Sequence, residues 1–191
     1  MQKLIFSTGN ASKFSAADGV CAKYGLKISQ YKLDIAEIQS EDAKEIITDK
    51  VKKAFAITNH PVIVSDDSWH VPALNGFPGA YMKSINHWLK PEVFIDLVRS
   101  LNDRRIFQYS YLAYTDGQVV KLFFRQHEGY ILEEPRGQSG LTSSKVISMF
   151  GDNDLSIAEV YDQGLDGPRR KVFKEWDDFC EWYLKLDKAV Q

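Results

Sequence analysis

The apolar run Val62-Ile63-Val64 limits the fold more than any other stretch of the chain. Three β-branched residues in succession suit a buried strand. Ser65, Asp66, Asp67 and Ser68 follow directly, so the spacing predicts two adjacent carboxylates at the strand's C-terminal end. Side chains alternate along a strand, which sends Asp66 and Asp67 to opposite faces unless the chain turns there. At such an end one acid can hold a hard cation while the other polarises a water. An Asp-Asp-Ser run also serves as a plain turn or helix cap, so the pair needs partners before it implies chemistry.

The first candidates for partners lie near the N-terminus. Lys3 to Ser7 reads as a strand, and Phe14, Ala17, Val20, Cys21 and Tyr24 share one face of a following helix. Between them stands Thr8-Gly9-Asn10-Ala11-Ser12-Lys13. Gly9 is expected to let the chain turn without a Cβ clash. Thr8 and Asn10 can bond an anion or cap the helix, the helix start offers unpaired N–H groups, and Lys13 lies one turn in. A phosphate fits that cluster. An ordinary N-cap accounts for Asn10 or Ser12 alone.

Leu26 to Leu33 alternates and reads as a half-buried strand. Its exit, Asp34-Ile35-Ala36-Glu37, carries a carboxylate that is either aimed at a site or solvated. Asp42 to Thr58 is a helix with a stripe of Ile46, Ile47, Val51, Ala54 and Phe55. Lys44, Lys50, Lys52 and Lys53 spread around it as a solvated face from which one lysine can turn toward a phosphate. Pro61 ends this element.

Beyond the acidic pair, Leu74 to Tyr81 holds two glycines and a proline and predicts a sharp loop. Trp88 to Leu101 is expected to be helical, with Pro91 near the start of its second part. Ile106 to Tyr114 alternates, with Phe107, Tyr109, Tyr111 and Ala113 on one face. Thr115 to Gln118 is a hairpin turn. Val119 to Phe124 returns, and Gly129 to Leu132 is read as a further strand. That aromatic hairpin suits a core cover or a dimer face. Gln138 to Ser144 reads as a loop, Val146 to Phe150 as a strand and Ser156 to Glu159 as a short helical piece. A last helix opens around Pro168 and carries Val172, Phe173, Trp176, Phe179, Cys180 and Tyr183. Alternating strands and helices with an inserted hairpin give the fold class α/β.

The 191 residues suit one domain, 1–191, or one domain with two lobes. The net charge of -2 offers no bulk attraction to nucleic acid or to an acidic membrane. Any anion must therefore be held by locally placed cations. Cys21 and Cys180 are expected to be two buried apolar thiols rather than metal ligands. No apolar run approaches the ~20 residues of a membrane span. No basic segment plus long apolar stretch opens the chain, so the expected location is the cytoplasm, with no nucleic-acid or membrane partner.

Together these pieces resemble the inosine triphosphate pyrophosphatase (Ham1-like) family over most of the chain, in the right order. Ser7 to Lys13 is similar to its N-terminal signature. Asp34-Ile35-Ala36-Glu37 is similar to its Asp-Ile-Pro-Glu element, with Ala36 in place of proline. Asp66-Asp67-Ser68, Ala73 to Tyr81, Pro135-Arg136-Gly137 and Ala158-Glu159 complete the pattern. The resemblance implies an elongated two-lobed domain around a long mixed sheet with flanking helices, usually a homodimer. It implies Mg²⁺-dependent cleavage of a nucleoside triphosphate between its α and β phosphates. Thr8, Asn10 and Lys13 would hold the triphosphate and Glu37 would be a magnesium ligand. Asp67 would orient or deprotonate the attacking water, with Asp66 assisting on the metal. Lys50 best matches the phosphate-binding lysine of the second helix, with Lys53 as its alternative, and Ser68 would also face substrate.

The departures lie in the base-reading part. Where the family carries Gly-Phe-Gly-Tyr/Trp-Asp-Pro, this chain has Leu141-Thr142-Ser143-Ser144-Lys145-Val146. Of the family's Lys-Asn and Ser-His-Arg, which read the purine 6-oxo edge, only Arg169 survives. Trp69 is bulky where the family is small. Three readings follow: a pyrophosphatase with altered base choice, an ordinary inosine/xanthosine triphosphate enzyme, or a non-catalytic nucleotide-binding protein on the same scaffold. Trp69, Tyr81 and Trp88 are candidates for a new stacking surface.

Overall fold

The computed structural model describes residues 3–151, 153–165 and 174–189. In chain order the elements are β1 (Leu4–Ser7), α1 (Ala11–Lys23), β2 (Ile28–Tyr31), α2 (Ala43–Thr58) and β3 (Val62–His70). There follow β4 (Pro78–Gly79), α3 (Met82–Trp88), α4 (Pro91–Asp96), β5 (Arg105–Thr115) and β6 (Val120–Ile131). The chain ends with α5 (Thr142–Val146), β7 (Ile147–Met149), α6 (Ile157–Asp162) and α7 (Lys174–Ala189). The seven strands are ordered β2-β1-β3-β5-β6-β7, with β4 paired to β3. β1 is parallel to β2 and β3, whereas β3–β4 and β6–β7 are antiparallel. The sheet is thus mixed and the class is α/β.

The chain forms two compact units. The first takes the residues up to Asp66, Ser110–Arg125 and the C-terminal helix, and the second takes Asp67–Tyr109 and the described residues from Gln126 to Leu165. In the first unit every residue of β1 is buried. The apolar face of α1 buries Ala17, Val20 and Cys21, and Phe14 and Tyr24 pack at its margin. α7 answers with Trp176, Phe179 and Cys180, and the Phe6 and Trp176 rings meet edge-on at 4.9 Å. Cys21 and Cys180 are buried free thiols with sulfurs 3.8 Å apart, as their apolar sequence context predicts. Phe179 is fully buried, so Phe179→Ala is expected to cost about 3–5 kcal/mol. The second unit has its own core of Val71, Met82, Ile85, Phe94, Ile95, Val98, Ile106, Ile131 and Val146 to Met149.

Several expectations need correction. β3 does not end at the acidic pair but runs on to His70, because Trp69 and His70 pair with Gly79 and Pro78 of β4. Ser110 to Thr115 are all buried, so this half of β5 is covered on both faces rather than on one. In β6 only Phe123, Gly129 and Ile131 are buried, and Phe124 is half-exposed and stacks on Tyr111. The two expected strands at 119–124 and 129–132 are one strand, β6. Trp88 closes α3 instead of opening a long helix, and Pro91 starts the separate α4. The expected loop 138–144 ends in a helix, α5, and the strand after it is shorter than predicted. Pro168, Val172 and Phe173 lie outside the described residues.

Candidate functional site

The carboxyl ends of β1 and β2 and the middle of the neighbouring β3 bring the first group of residues together. Ser7 of β1 is level with Tyr31 of β2 and with Val64 of β3. The segments leaving β1 and β2, Thr8 onward and Lys32 onward, therefore start side by side, level with Ser65-Asp66 within β3. In open α/β sheets this edge is where ligands bind. Hydrogen bonds tie the first two exits. The Thr8 N–H donates to the Tyr31 carbonyl at 2.9 Å, and Gln30 Nε2 donates to the Thr8 carbonyl at 3.1 Å.

Asn10 is the N-cap of α1, its Oδ1 accepting from the Lys13 N–H at 3.0 Å. Thr8 Oγ1 accepts from the Asn10 N–H at 3.1 Å. The cap is therefore real, but it uses acceptor oxygens only. A hydroxyl also carries one donor and a primary amide two, so capping leaves the Thr8 O–H and the Asn10 NH₂ as donors for an anion. Gly9 behaves differently from expectation. Its backbone is not in the left-handed region, and the nearest atoms an added Cβ would meet are those of the Lys32 stem at 3.6 Å, an ordinary contact. Neither conformation nor packing within the chain requires glycine there. Lys32 itself was read only as a polar position of a half-buried strand; nothing in a four-residue strand signals that its stem will lie over the loop.

Lys50 is the centre of the second group. Its Nζ donates to Glu37 Oε1 at 2.6 Å and to Asp66 Oδ2 at 3.0 Å. Burial pushes this ammonium down, but Asp66 and Glu37 outweigh it and the net shift is upward from the usual lysine value. Lys53, the alternative to Lys50, does other work: it donates to the Ala36 carbonyl at 2.8 Å and pairs with Asp49 at 2.7 Å. It fixes the segment that presents Glu37. Among the described residues no group of three or more His, Cys, Asp or Glu is placed to hold a metal. Glu37 and Asp66 do converge on one cation, the Lys50 ammonium. Two hard oxygen donors of this kind suit Mg²⁺, which commonly takes one or two carboxylates and completes its shell with water and substrate phosphate.

In the second unit Asp67 follows on β3, and then Ser68, fully buried, with Oγ 2.9 Å from His70 Nε2. Burial lowers the His70 pKa, partly offset by its bond to the Gly76 backbone. The ring also stands edge-on to Tyr109 at 5.0 Å. Sequence reading missed His70, because the strand was expected to have ended before it. Trp69 packs partly buried on the second core, whereas Tyr81 is 40% and Trp88 77% exposed. Arg169 lies outside the described residues.

Two motifs of the sequence meet each other here. Gly137, at φ +82°, lies so close to α6 that a Cβ would stand 2.7 Å from Ala158 Cβ and from the Glu159 N. The Arg136 guanidinium lies 3.4 Å from the Glu159 carboxylate, and the Ser156 hydroxyl donates to the Arg136 carbonyl at 2.9 Å. Pro135-Arg136-Gly137 and Ala158-Glu159 are thus one clasp.

The sequence model of the Ham1 family matches residues 4–161. The chain belongs to the Ham1 family. A Ham1 relative from Methanopyrus kandleri, named dITP/XTP pyrophosphatase, is 30% identical over 95% of this chain and 96% of its own. The inosine triphosphate pyrophosphatase of Yarrowia lipolytica is 33% identical over 84% of this chain and 85% of its own. Among solved structures, a HAM1 protein from Coxiella burnetii superposes with a TM-score of 0.75 at 18% identity, covering 99% of this chain and 100% of that one. That likeness shows the Ham1 fold.

Proposed function

We propose that this protein hydrolyses nucleoside triphosphates to the monophosphate and pyrophosphate, with Mg²⁺. The observation that carries this reading is the Glu37–Lys50–Asp66 cluster at β3, the strand paired with β1, whose carboxyl end leads into Thr8, Asn10 and Lys13. A triphosphate carries about four negative charges, so the barrier is mainly repulsion of the nucleophile and charge on the leaving group. Thr8, Asn10 and the start of α1 offer hydrogen-bond donors and a partial positive charge to the phosphates, and Lys13 and Lys50 add full charges. Glu37 and Asp66 would hold Mg²⁺, which supplies neutralisation at the phosphate oxygens. Asp67, the next residue along β3, orients or deprotonates the water as the bond between the α and β phosphates breaks. The names of the relatives and the match over nearly the whole chain support this activity.

Base choice is the part expected to differ. The stretch that the resemblance assigns to the base, Leu141 to Val146, carries neither aromatic ring nor acid. Its polar groups are engaged within the second unit: Thr142 Oγ1 donates to the Leu89 carbonyl at 2.7 Å, the Ser143 N–H to Asn86 Oδ1 at 2.8 Å, and the Leu141 N–H to Ser144 Oγ at 3.3 Å. A site without groups for the 6-oxo edge loses the discrimination that hydrogen bonding provides. The second reading, ordinary inosine and xanthosine triphosphate hydrolysis, is favoured by the names of the relatives. Pyrophosphate release from standard and deaminated nucleoside triphosphates separates the two. Activity lost in Asp67→Asn, with no preference for the deaminated members, is the expected result. A strong preference for them sinks altered base choice, and no release from any member sinks the enzyme.

A further inference from the structure

Lys50 stands where a cation shared by Glu37 and Asp66 has to stand. Its ammonium is 2.6 Å from one carboxylate and 3.0 Å from the other, and its side chain is only 19% exposed. Mg²⁺ binds carboxylate oxygens at about 2.0–2.1 Å, so an ion shared by this pair would stand close beside the ammonium. Two cations with a combined charge of about +3 cannot share two carboxylates without strong repulsion. Among the described residues no third His, Cys, Asp or Glu completes a metal group, and Mg²⁺ commonly fills the rest of its shell with water and substrate phosphate. A triphosphate supplies what is missing on both counts. Its oxygens complete the shell of the ion, and its charge gives Lys50, a compact ammonium on a flexible stem, a new partner.

We propose that Lys50 sets the order of assembly: it closes the Glu37–Asp66 cation position in the free protein and gives it up to the triphosphate, so that the divalent ion enters as the triphosphate complex and not alone. The identity of the anion rests on the pyrophosphatase reading. The closure is a property of the free protein and is tested without turnover.

Mn²⁺, which shares the oxygen-ligand preference of Mg²⁺, is titrated into nucleotide-free protein and free ion is read by electron paramagnetic resonance. The wild type is expected to bind weakly. Lys50→Met, which removes the charge, binds at least tenfold more tightly, and Lys50→Arg, which keeps it, stays with the wild type. Lys50→Gln provides a second neutral variant, and circular dichroism verifies that each is folded. Neutral variants that bind Mn²⁺ no more tightly than the wild type overturn the proposal. Pyrophosphate release by the wild type is measured in parallel. If release occurs and Mn²⁺ binding is unchanged, the order of assembly fails and the enzyme stands. If binding tightens but no triphosphate is cleaved, Lys50 still closes a cation position, but triphosphate is not what opens it and the proposal as stated falls.

Discussion

Gly9→Ala separates a glycine needed by the fold from one needed by a ligand. The atoms nearest to the added methyl would be Lys32 Cε, Cγ and Cδ at 3.6–3.7 Å, and the backbone is not left-handed. Replacing a glycine by alanine at a compatible position stabilises a chain by about 0.4–1 kcal/mol through the unfolded state. For a chain of this size that raises Tm by roughly 1–4 °C. A triphosphate lying against the Thr8–Asn10 backbone meets the methyl directly. Displacing it far enough to lose one hydrogen bond to a charged group costs about 1.5–3 kcal/mol, or roughly 10- to 150-fold in affinity. The assay pairs scanning calorimetry with the steady-state kinetics of pyrophosphate release. The expected outcome is an unchanged or raised Tm with KM increased at least tenfold. A Tm lowered by several degrees would show that the fold needs glycine after all. An unchanged KM would show that the phosphates do not approach this backbone.

The clasp between Gly137 and α6 gives the opposite expectation. Gly137→Ala forces a Cβ into contacts of 2.7 Å at φ +82°, and the positive φ and overpacking together are expected to destabilise by about 2–5 kcal/mol, read by urea unfolding. Asn10→Ala removes the cap of α1 and an anion donor, so a loss of about 1 kcal/mol of stability should accompany weaker substrate binding, measured by denaturation and by KM. The Ser139 side chain and then the Gln138 and Ser139 N–H groups donate to Asp162 and hold its carboxyl below the usual range. A depressed folded pKa contributes stability above the unfolded value and loses it as pH falls through the folded one. Melting followed from pH 5 to 3 should therefore decline more in the wild type than in Asp162→Asn.

The legible parts of this chain are those where one physical signal dominates. The 3.6 period placed α1 and α2, and the β-branched runs placed β1 and the buried start of β3. Where neighbours decide, reading failed. The end of β3 depends on β4, two residues long and distant in any local window, so Asp66 and Asp67 were taken for a strand terminus. The burial of Ser110 to Thr115 on both faces is set by what packs on β5, not by its own alternation. At the site, the acids and lysines were recognisable by type and order, and Lys50 was preferred to Lys53 by resemblance, but what each lysine bonds came from the geometry: Lys50 joins Glu37 and Asp66, whereas Lys53 holds the Ala36 carbonyl and Asp49. Gly9 was credited with a backbone role that the structure assigns to no internal need.

The division of labour within the chain bears on how base choice can change while chemistry persists. The phosphate-side residues sit after β1 and β2, on α1 and α2 and in the middle of β3, and the parallel register anchors the segments that carry them: Ser7 must stay level with Tyr31 and Val64. A change there shifts Thr8, Glu37 and Asp66 together. The stretch assigned to the base is a five-residue helix and its approach, held by local bonds from Thr142 to Leu89, Ser143 to Asn86 and Leu141 to Ser144. Those bonds engage the Thr142 and Ser144 hydroxyls and the Ser143 N–H within the unit that bears them and involve no residue of β1, β2 or β3. Restoring an aromatic at Thr142 is thus expected to alter the ratio of kcat/KM between purine triphosphates while leaving pyrophosphate release and its Asp67 dependence intact. If Thr142→Phe instead abolished release from every triphosphate without lowering Tm, base reading and phosphate chemistry would not be separable in this way.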